Sequence, residues 1–342
     1  MSPTHAVTPQ TPEDLAAALA DAASKKQTIT LAGRSSKNKM GGPVEPSQVK
    51  IATTGLTRIL SYEPKDLTIS VEAGLPWAEL TRLLAENRQM VPLDPPFAGL
   101  ATVGGVVAAN SSGPRRRLYG TARDLVIGMT FATLEGKLIP TGGMVVKNVA
   151  GLDMAKLMIG SFGTLAAIAR VNFKLFPITG RRTFEMKFET AAEAFAERDR
   201  ILGSVLQPAA IDILNWPNGF RLLIEAAGNA GVLDRFEREL PRARTVDESA
   251  WSEVREFTPR FLAENPTATI VPIMTKLTEM NGVMEKLRVP AIARAGSGLI
   301  YAHYSENAPE AAWNGDFATM ERVKKMFDPD RLLNRGRLYG RI

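Results

Sequence analysis

Residues 102–113 read TVGGVVAANSSG, a stretch of glycine, hydroxyl and small apolar residues. A second stretch of this kind, GSFGT, occupies residues 160–164, and a third, GRSSK at residues 33–37, adds two cations. Small residues let the backbone come close to a ligand, and backbone amides in such segments can surround an anion such as a diphosphate. Cations beside hydroxyl groups strengthen that attraction. Together the three segments predict the binding of a dinucleotide.

Two common nucleotide-binding folds lack their fingerprints here. The chain has no G-x-G-x-x-G after its first predicted strand and no G-x-x-x-x-G-K-[ST], so neither a Rossmann fold nor a P-loop is predicted. Each glycine segment alone also fits a structural role, Gly104 and Gly105 as a helix-packing pair and residues 160–163 as an ordinary turn. Their occurrence together with residues 33–37 favours a ligand.

Length and composition indicate a globular protein of two domains. The 342 residues are 45% hydrophobic, which is enough for a substantial core, and the usual domain size favours two domains. No apolar run approaches the roughly 20 residues of a membrane span. The start, MSPTH, lacks the basic and then apolar order of a signal peptide. We therefore expect a cytoplasmic protein.

The content of cysteine, histidine and charge narrows the chemistry. With no cysteine, the chain can hold neither a disulfide nor a cysteinyl flavin link nor a cysteine-ligated zinc or iron–sulfur site. Two histidines, His5 and His303, are too few for a histidine metal site, and we expect no metal. The net charge is +6, but the one tight basic cluster, residues 115–117, has only Tyr119 as an aromatic neighbour. Nucleic-acid binding is therefore not favoured.

The first 179 residues alternate helix and strand signals. Thr11, followed by Pro12 and two acids, predicts the start of a helix that runs to about residue 26. Further patterns predict a helix at 76–86 and strands at 28–32, 49–52, 67–72, 126–133, 138–141 and 165–177.

The character of the sequence changes after residue 179, where we place a domain boundary. Alternation over 184–188 predicts a strand, and Thr190 with Glu193 forms a capping box that opens a helix to about residue 206. Further patterns predict helices at 230–241, 251–264, 275–288 and 309–327 and strands at 210–214, 220–226, 268–273, 290–294 and 298–303. The simplest packing is an antiparallel sheet with helices on one face, of the split βαβ type.

Six ordered segments resemble the FAD-binding domain of the vanillyl-alcohol oxidase flavoprotein family, also called the PCMH-type FAD domain. They are AGRSSK at 32–37, TVGG at 102–105, NSSG at 110–113, YGTARD at 119–124, KNVAGLD at 147–153 and GSFGT at 160–164. The resemblance covers residues 28–177. Among the members of this family, the chain resembles in particular the FAD-binding E subunits of bacterial glycolate oxidases. The tail, with FDP at 327–329 and LN at 333–334, resembles the segment by which such proteins return to the FAD domain.

The resemblance implies an α+β protein with a two-lobed PCMH-type FAD-binding domain at residues 1–179. A smaller α+β cap with an antiparallel sheet is expected at 180–308. The C-terminal helix and tail, 309–342, are expected to pack back on the FAD domain.

The resemblance also implies which residues hold the cofactor. Residues 33–37 and 102–105 are assigned to the FAD diphosphate, residues 111–113 to a path along it toward the flavin ring, and residues 160–164 with Ile168 to the adenosine half. The expected FAD-binding residues are Gly33, Arg34, Ser35, Ser36, Lys37, Thr102, Val103, Gly104, Gly105, Asn110, Ser111, Ser112, Gly113, Asp124, Gly160, Ser161, Gly163, Thr164 and Ile168.

Two features of the resemblance limit these assignments. Lys147, Asn148 and Asp153 stay open between direct contact with FAD and a structural role. The histidine and the cysteine through which some relatives attach flavin are both missing, so FAD is expected to be noncovalent.

The catalytic residues cannot be assigned in the same way. Related subunits that dehydrogenate 2-hydroxy acids carry an H-x-G-D-G-N motif in the cap, whose histidines help to bind a metal and take the hydroxyl proton. At the equivalent position this chain reads ARAGSG, residues 293–298. Without a base, a hydride acceptor oxidises alcohols poorly. Arg294 stays a candidate for holding a carboxylate, and His303 for catalysis, each beside a structural alternative.

The resemblance implies an FAD-dependent oxidoreductase acting on CH–OH groups as a subunit of a glycolate-oxidising complex of glyoxylate metabolism. Its flavin would relay electrons or be structural, while a second FAD-binding subunit oxidises glycolate to glyoxylate and an iron–sulfur subunit receives the electrons. The complex of that family associates peripherally with the inner face of the cell membrane. Two alternatives stay open, a self-sufficient FAD-dependent 2-hydroxy-acid oxidoreductase and a non-enzymatic interaction subunit with relic FAD loops.

Overall fold

The computed structural model describes residues 5–42, 44–144, 153–306, 308 and 316–340. Contacts divide the chain into two compact units. The first comprises Met1–Ser111, Thr121–Pro177 and Gly315–Ile342, and the second comprises Ser112–Gly120 and Ile178–Asn314. The sequence-based domain limits after 179 and 308 stay predictions, and the short segment Ser112–Gly120 groups with the second unit rather than with the residues that flank it.

Helices and short strands alternate along the first part of the chain, with α4 belonging to the second unit. In chain order the elements are β1 His5–Val7, α1 Pro12–Ser24, β2 Ile29–Ala32, β3 Val49–Ala52, β4 Ile59–Glu63, β5 Thr68–Glu72, α2 Trp77–Glu86, β6 Gln89–Met90, α3 Val103–Ala108, α4 Arg116–Tyr119, α5 Ala122–Leu125, β7 Val126–Ala132, β8 Leu138–Gly142, α6 Ala155–Met158, β9 Ala167–Lys174 and β10 Phe176–Pro177.

Helix α1 starts as its sequence predicts. The Thr11 hydroxyl accepts a hydrogen bond from the Asp14 amide, and the Asp14 carboxylate accepts one from the Thr11 amide, both at 3.0 Å. The apolar side of the helix buries Leu15 and Leu19 in one cluster with Ile29 of β2. This cluster is the core beside a parallel sheet with the order β1-β3-β2.

A second, antiparallel sheet of the first unit has the order β4-β5-β9-β7-β8. Its buried side chains include Val71 and Phe173, which share a core cluster with Trp77 and Leu80 of α2. The rings of Trp77 and Phe173 meet edge to face with centroids 6.3 Å apart. Burial of each large apolar side chain stabilises the fold by roughly 1.5–3 kcal/mol.

The C-terminal segment returns to the first unit. It consists of α11, Phe317–Phe327, and a tail that ends in the short helix α12, Arg337–Gly340. The Ile29 amide donates to the Leu332 carbonyl at 2.8 Å, and the Asn334 amide donates to the Ile29 carbonyl at 2.9 Å. The tail therefore lies alongside β2, which confirms the predicted return.

The second unit is built on one antiparallel sheet with the order β14-β11-β13-β12-β16-β17-β15. Its elements in chain order are β11 Gly180–Phe188, α7 Ala191–Leu202, β12 Ala210–Leu214, β13 Phe220–Gly228, α8 Ala230–Glu239, β14 Arg244–Val246, α9 Ser249–Glu264, β15 Thr269–Met274, α10 Met280–Lys286, β16 Ala291–Arg294 and β17 Leu299–Tyr304. The predicted antiparallel cap sheet is confirmed.

The expectation that helices cover only one face of this sheet is wrong. Ile211 and Ile213 of β12 share a core cluster with α7, α8 and α10. Their neighbours on the strand, Ala210 and Leu214, point to the other face and share a second cluster with Trp251 of α9. Both faces of the strand are apolar, so each requires a cover.

Two predicted helix limits also differ from the structure, and a third is not tested by it. The helix expected at 275–288 is a 3₁₀ turn, Leu277–Glu279, followed by α10, whose Gly282 is a poor helix former. Helix α7 ends at Leu202, four residues before its predicted end. Most of the predicted first part of the last helix, 309–315, lies outside the described residues. Among the helices of the described residues, none is long and apolar enough to cross a membrane.

Candidate functional site

The three glycine-containing segments meet in the first unit around one cleft. Strand β2 leads into residues 33–38, Thr102 starts α3, and residues 160–164 form a turn. The empty volume of the cleft, its open mouth included, is about 660 Å³. Its lining residues are Leu31, Ala32, Gly33, Arg34, Ser35, Ser36, Lys37, Asn38, Thr53, Thr102, Gly104, Gly105, Ala108, Ala109, Phe162, Gly163, Ala166, Ile168 and Arg337.

Glycine is required where these segments touch. A Cβ placed on Gly33 would collide with the Thr102 hydroxyl. A Cβ on Gly104 would lie 2.8 Å from Ala73 Cβ, closer than real Cβ contacts. The two glycines therefore allow residues 33–37, helix α3 and the connection between β5 and α2 to pack closely together. Part of the wall of the cleft is consequently main chain.

The segment 102–105 begins a helix rather than forming a loop. The Thr102 hydroxyl caps α3 by accepting from the Gly105 amide at 3.2 Å. The Val103 amide donates to the Leu75 carbonyl at 2.9 Å, and the Gly104 amide donates to the Ala73 carbonyl at 2.7 Å. Because these amides have protein acceptors, the segment is not the open anion nest that the sequence suggested. Thr102 lines the cleft, and Gly104 and Gly105 give it a surface without side chains.

The charge of the cleft is entirely positive. Arg34, Lys37 and Arg337 line it, and no aspartate or glutamate occurs among its described lining residues. Lys37 and Arg337 are buried, with exposed fractions of 7% and 6%. Arg337 is a buried cation in a cleft whose described lining has no carboxylate, which favours an anionic ligand because the charge of the ligand offsets the cost of burial.

Two predicted residues carry buried polar atoms that lack a hydrogen-bond partner within the described part of the chain. They are the Oγ of Ser111 and the Oδ1 of Asn110, just after α3. Most buried polar atoms in proteins are paired, so an unpaired one calls for an explanation such as a ligand. Neither residue is among those that line the cleft, and of the two oxygens only the Ser111 hydroxyl can donate to a phosphate. The small-residue wall and the cations fit a dinucleotide diphosphate.

The turn at residues 160–164 contributes Gly163 to the cleft and uses its other residues to hold its shape. Gly163 has a φ of +68°, which favours glycine. The Ser161 hydroxyl accepts from the Gly163 amide at 3.3 Å, and the Thr164 hydroxyl donates to the Ser161 carbonyl at 2.7 Å. Gly160 belongs to this turn but does not line the cleft, whereas Ile168 of β9 does.

The other predicted residues lie apart from the cleft lining. Val103 is fully buried in the core. Asp124 caps α5 by accepting from the Thr121 amide at 2.8 Å. Ser112 and Gly113 group with the second unit.

Of the three residues left open, Lys147 and Asn148 lie outside the described residues. Asp153 is 3.6 Å from the Lys156 ammonium, an arrangement in keeping with the structural alternative.

Sequence reasoning missed nine lining residues. They are Leu31, Ala32, Asn38, Thr53, Ala108, Ala109, Phe162, Ala166 and Arg337. Several adjoin predicted segments, and Phe162 lies inside one, so extending each motif by a residue or two would have found them. Arg337 gave no such signal, since 295 to 299 positions separate it from the carbonyls that accept its hydrogen bonds.

In the second unit Arg294 is paired with an acid. Its guanidinium donates to the carboxylate of Asp212, which is fully buried on the adjacent strand β12. Burial raises the pKa of Asp212 to about 6, against the opposing effect of Arg294. Arg294 also lies 5.7 Å from the centroid of the Tyr301 ring. Binding of a substrate carboxylate by Arg294 would have to compete with this pair.

His303 is enclosed. One ring nitrogen is 2.9 Å from the Thr258 hydroxyl and the other is 3.2 Å from the Pro290 carbonyl. The rings of Phe257 and Phe261 pack edge-on against it. Burial lowers the pKa of His303 to about 4, so the ring is neutral near pH 7. These contacts match the packed alternative rather than a proton acceptor open to a substrate.

Comparison with known proteins defines the class. A family model described as an FAD binding domain matches residues 3–142. The solved structure of an alkyldihydroxyacetonephosphate synthase superposes with a TM-score of 0.73 at 18% sequence identity, over 96% of this chain and 75% of that one. The fold is thus that of an FAD-binding protein of the PCMH type, which confirms the predicted fold class and FAD as the cofactor.

Sequence similarity narrows the family. The chain is 30% identical to glycolate oxidase subunit GlcE of Escherichia coli K12, over 94% of this chain and 95% of that protein. It is 31% identical to glycolate oxidase subunit GlcD of Bacillus subtilis 168, over 52% of this chain and 37% of that protein. It is 30% identical to the mitochondrial D-lactate dehydrogenase [cytochrome] of Arabidopsis thaliana, over 47% of this chain and 28% of that protein. The chain belongs to the GlcE family of glycolate oxidase subunits.

Proposed function

We propose that this chain is the FAD-binding subunit of a complex that oxidises glycolate, or a similar small 2-hydroxy acid, to the 2-oxo acid. The observation that carries the proposal is the cleft with three cations and no carboxylate among its described lining residues. Its support at the level of the whole chain is the similarity to GlcE over 94% of the sequence.

The cofactor would be held without a covalent bond. Residues 33–37 would face the diphosphate with Arg34 and Lys37 offsetting its charge, while Gly163 and Ile168 would border the adenosine half. Ser111 would supply a hydroxyl that has no partner within the described residues. Bound FAD supplies a two-electron acceptor for carbon–hydrogen bond cleavage at an alcohol carbon.

Removal of the hydroxyl proton is proposed to occur on a homologous FAD-binding subunit rather than here. A general base must reach the proton that it takes. Arg294 is engaged by Asp212, and His303 is enclosed by two phenylalanine rings and held at both ring nitrogens. In this proposal the flavin of this chain relays electrons or is structural. The electrons would leave to an iron–sulfur subunit, because a chain without cysteine cannot ligate such a cluster through thiolates.

The test is the visible absorption spectrum of the purified chain, recorded without oxygen before and after addition of glycolate. We expect an oxidised-flavin spectrum that glycolate does not bleach, and release of free FAD on acid precipitation. Coexpression with the two proposed partner subunits should then give a complex in which glycolate bleaches flavin.

Other outcomes point to the alternatives. Bleaching of the isolated chain would indicate a self-sufficient oxidoreductase, and an Arg294→Met variant would then show whether Arg294 binds the carboxylate through a raised KM. A chain that neither contains nor takes up FAD would contradict the proposal and favour a non-enzymatic interaction subunit.

A further inference from the structure

Arg337 lies where the C-terminal tail reaches the cleft. One terminal nitrogen of its guanidinium donates to the carbonyls of Asn38, Met40 and Gly42 at 3.2, 2.6 and 3.0 Å. The guanidinium also lies 5.4 Å from the centroid of the Phe162 ring. The tail thereby fixes the end of the 33–42 segment and the 160–164 turn in one place.

These contacts leave the charge of Arg337 uncompensated. The three carbonyls that accept hydrogen bonds from it are neutral, and no carboxylate occurs among the described residues that line the cleft. The Nε donor of Arg337 has no acceptor within the described part of the chain. Burial lowers the pKa of Arg337 to about 10, so the side chain remains charged at neutral pH. A buried cation with a spare donor is costly unless an anion completes its surroundings.

The neighbouring Arg335 shows the contrast. Its side chain is 46% exposed and pairs with Glu45 at 2.9 Å, an ordinary surface ion pair. Two arginines separated by one residue therefore have different surroundings. Arg335 lies in solvent beside an acid, and Arg337 lies in a cleft with no acid among its described lining residues.

We propose that Arg337 is a ligand of the FAD diphosphate, so that the C-terminal tail completes the cofactor site. The inference rests on the proposed FAD-binding function and adds a third cation to Arg34 and Lys37. The guanidinium is suited to this role because its fork of N–H donors matches phosphate oxygens while some donors hold the loop. The side chain would thus couple cofactor binding to the order of the 38–42 turn.

The test measures FAD affinity in the full-length chain. Protein freed of flavin is titrated with FAD and flavin fluorescence is followed for the wild type, Arg337→Gln, Arg337→Lys and the matched control Arg335→Gln. Loss of a charge-assisted contact predicts a Kd about 10- to 100-fold higher for Arg337→Gln. Arg337→Lys keeps the charge but loses the fork of donors, so its affinity should lie between those of the wild type and Arg337→Gln. Arg335→Gln should bind as the wild type does.

The outcomes separate this inference from the proposed function. If the wild type takes up no FAD, the proposed function fails before Arg337 is tested. If the wild type and Arg337→Gln bind FAD equally, only the role of Arg337 is overturned. A Lys variant as weak as the Gln variant would also overturn it, because tethering of the loop rather than charge would then explain the loss. Circular dichroism checks folding, and if the Gln variant does not fold, retention or loss of affinity in Arg337→Lys decides.

Discussion

Unpaired buried atoms are the clearest residue-scale sign of a ligand in this chain. Ser111 is 4% exposed, and its hydroxyl has no partner within the described residues. Ser161 is a useful contrast, because its hydroxyl accepts from the Gly163 amide. Removal of a hydroxyl that binds a ligand should lower ligand affinity, whereas removal of a hydroxyl that bonds within the protein should lower stability.

Replacement of Ser111 by alanine should therefore separate binding from stability. We expect Ser111→Ala to leave the melting temperature of the flavin-free chain unchanged or slightly raised, because no protein hydrogen bond is lost. Its Kd for FAD should rise about 5- to 10-fold, the effect of roughly 1 kcal/mol. Ser161→Ala should lower the melting temperature instead. Thermal unfolding and FAD titration of both variants check this, and a clear loss of apo stability in Ser111→Ala would count against a ligand role.

Helix α11 and the tail act as one element through Lys324. Lys324 is 1% exposed. Its ammonium donates to the Thr164 and Leu333 carbonyls at 2.8 and 2.9 Å and to the Asp328 carboxylate at 2.6 Å. Asp328 in turn accepts from the amides of Leu332 and Leu333. The element thus joins the 160–164 turn to the part of the tail that lies beside β2.

We expect Lys324→Met to destabilise the first unit by about 3 kcal/mol, because it leaves a buried carboxylate without its cation and two carbonyls without a donor. Lys325→Met is the control, since Lys325 is exposed on the same helix and should change stability by less than about 0.5 kcal/mol. Urea unfolding of the two variants measures both. Equal midpoints would show that the Lys324 cluster does not hold the tail in place.

Elements with local signals were predictable, and contacts distant in sequence were not. The capping boxes at Thr11 and Thr190 form as expected, because each depends on residues three positions apart. Gly104 and Gly105 lie in a helix, as the alternative of a helix-packing pair predicted, and a Cβ on Gly104 would lie 2.8 Å from Ala73 Cβ, a close approach between segments about 30 residues apart for which the sequence has no local signal. Arg337 lies in the cleft because it donates to carbonyls about 300 positions earlier in the chain. No periodicity or motif spacing in the sequence indicates a contact over that distance.

At the scale of the whole molecule, two buried groups of the second unit oppose each other in their response to pH. Asp212 has a folded-state pKa of about 6 against its ordinary 3.8. Between these values the folded state holds more protons than the unfolded state, so the free energy of unfolding falls as pH rises. His303 has a folded-state pKa of about 4 against 6.5. Between these values the unfolded state holds more protons, so the free energy of unfolding rises with pH.

The contributions of Asp212 and His303 to the free energy of unfolding should nearly cancel between pH 4 and pH 6. Each pKa is displaced by a little over two units, and at about 1.4 kcal/mol per unit each contribution is about 3 kcal/mol. Relative to the wild type, His303→Gln should then lose stability as pH rises from 4 to 6, while Asp212→Asn should gain it. The double variant should regain a slope close to that of the wild type. Urea unfolding at pH 4.5, 5.2 and 6 measures the slopes. Parallel curves for the two single variants would mean that burial does not displace these titrations. Opposite slopes would show that a buried carboxyl group that takes up a proton and a buried ring that stays neutral lie in one sheet and offset each other's response to pH.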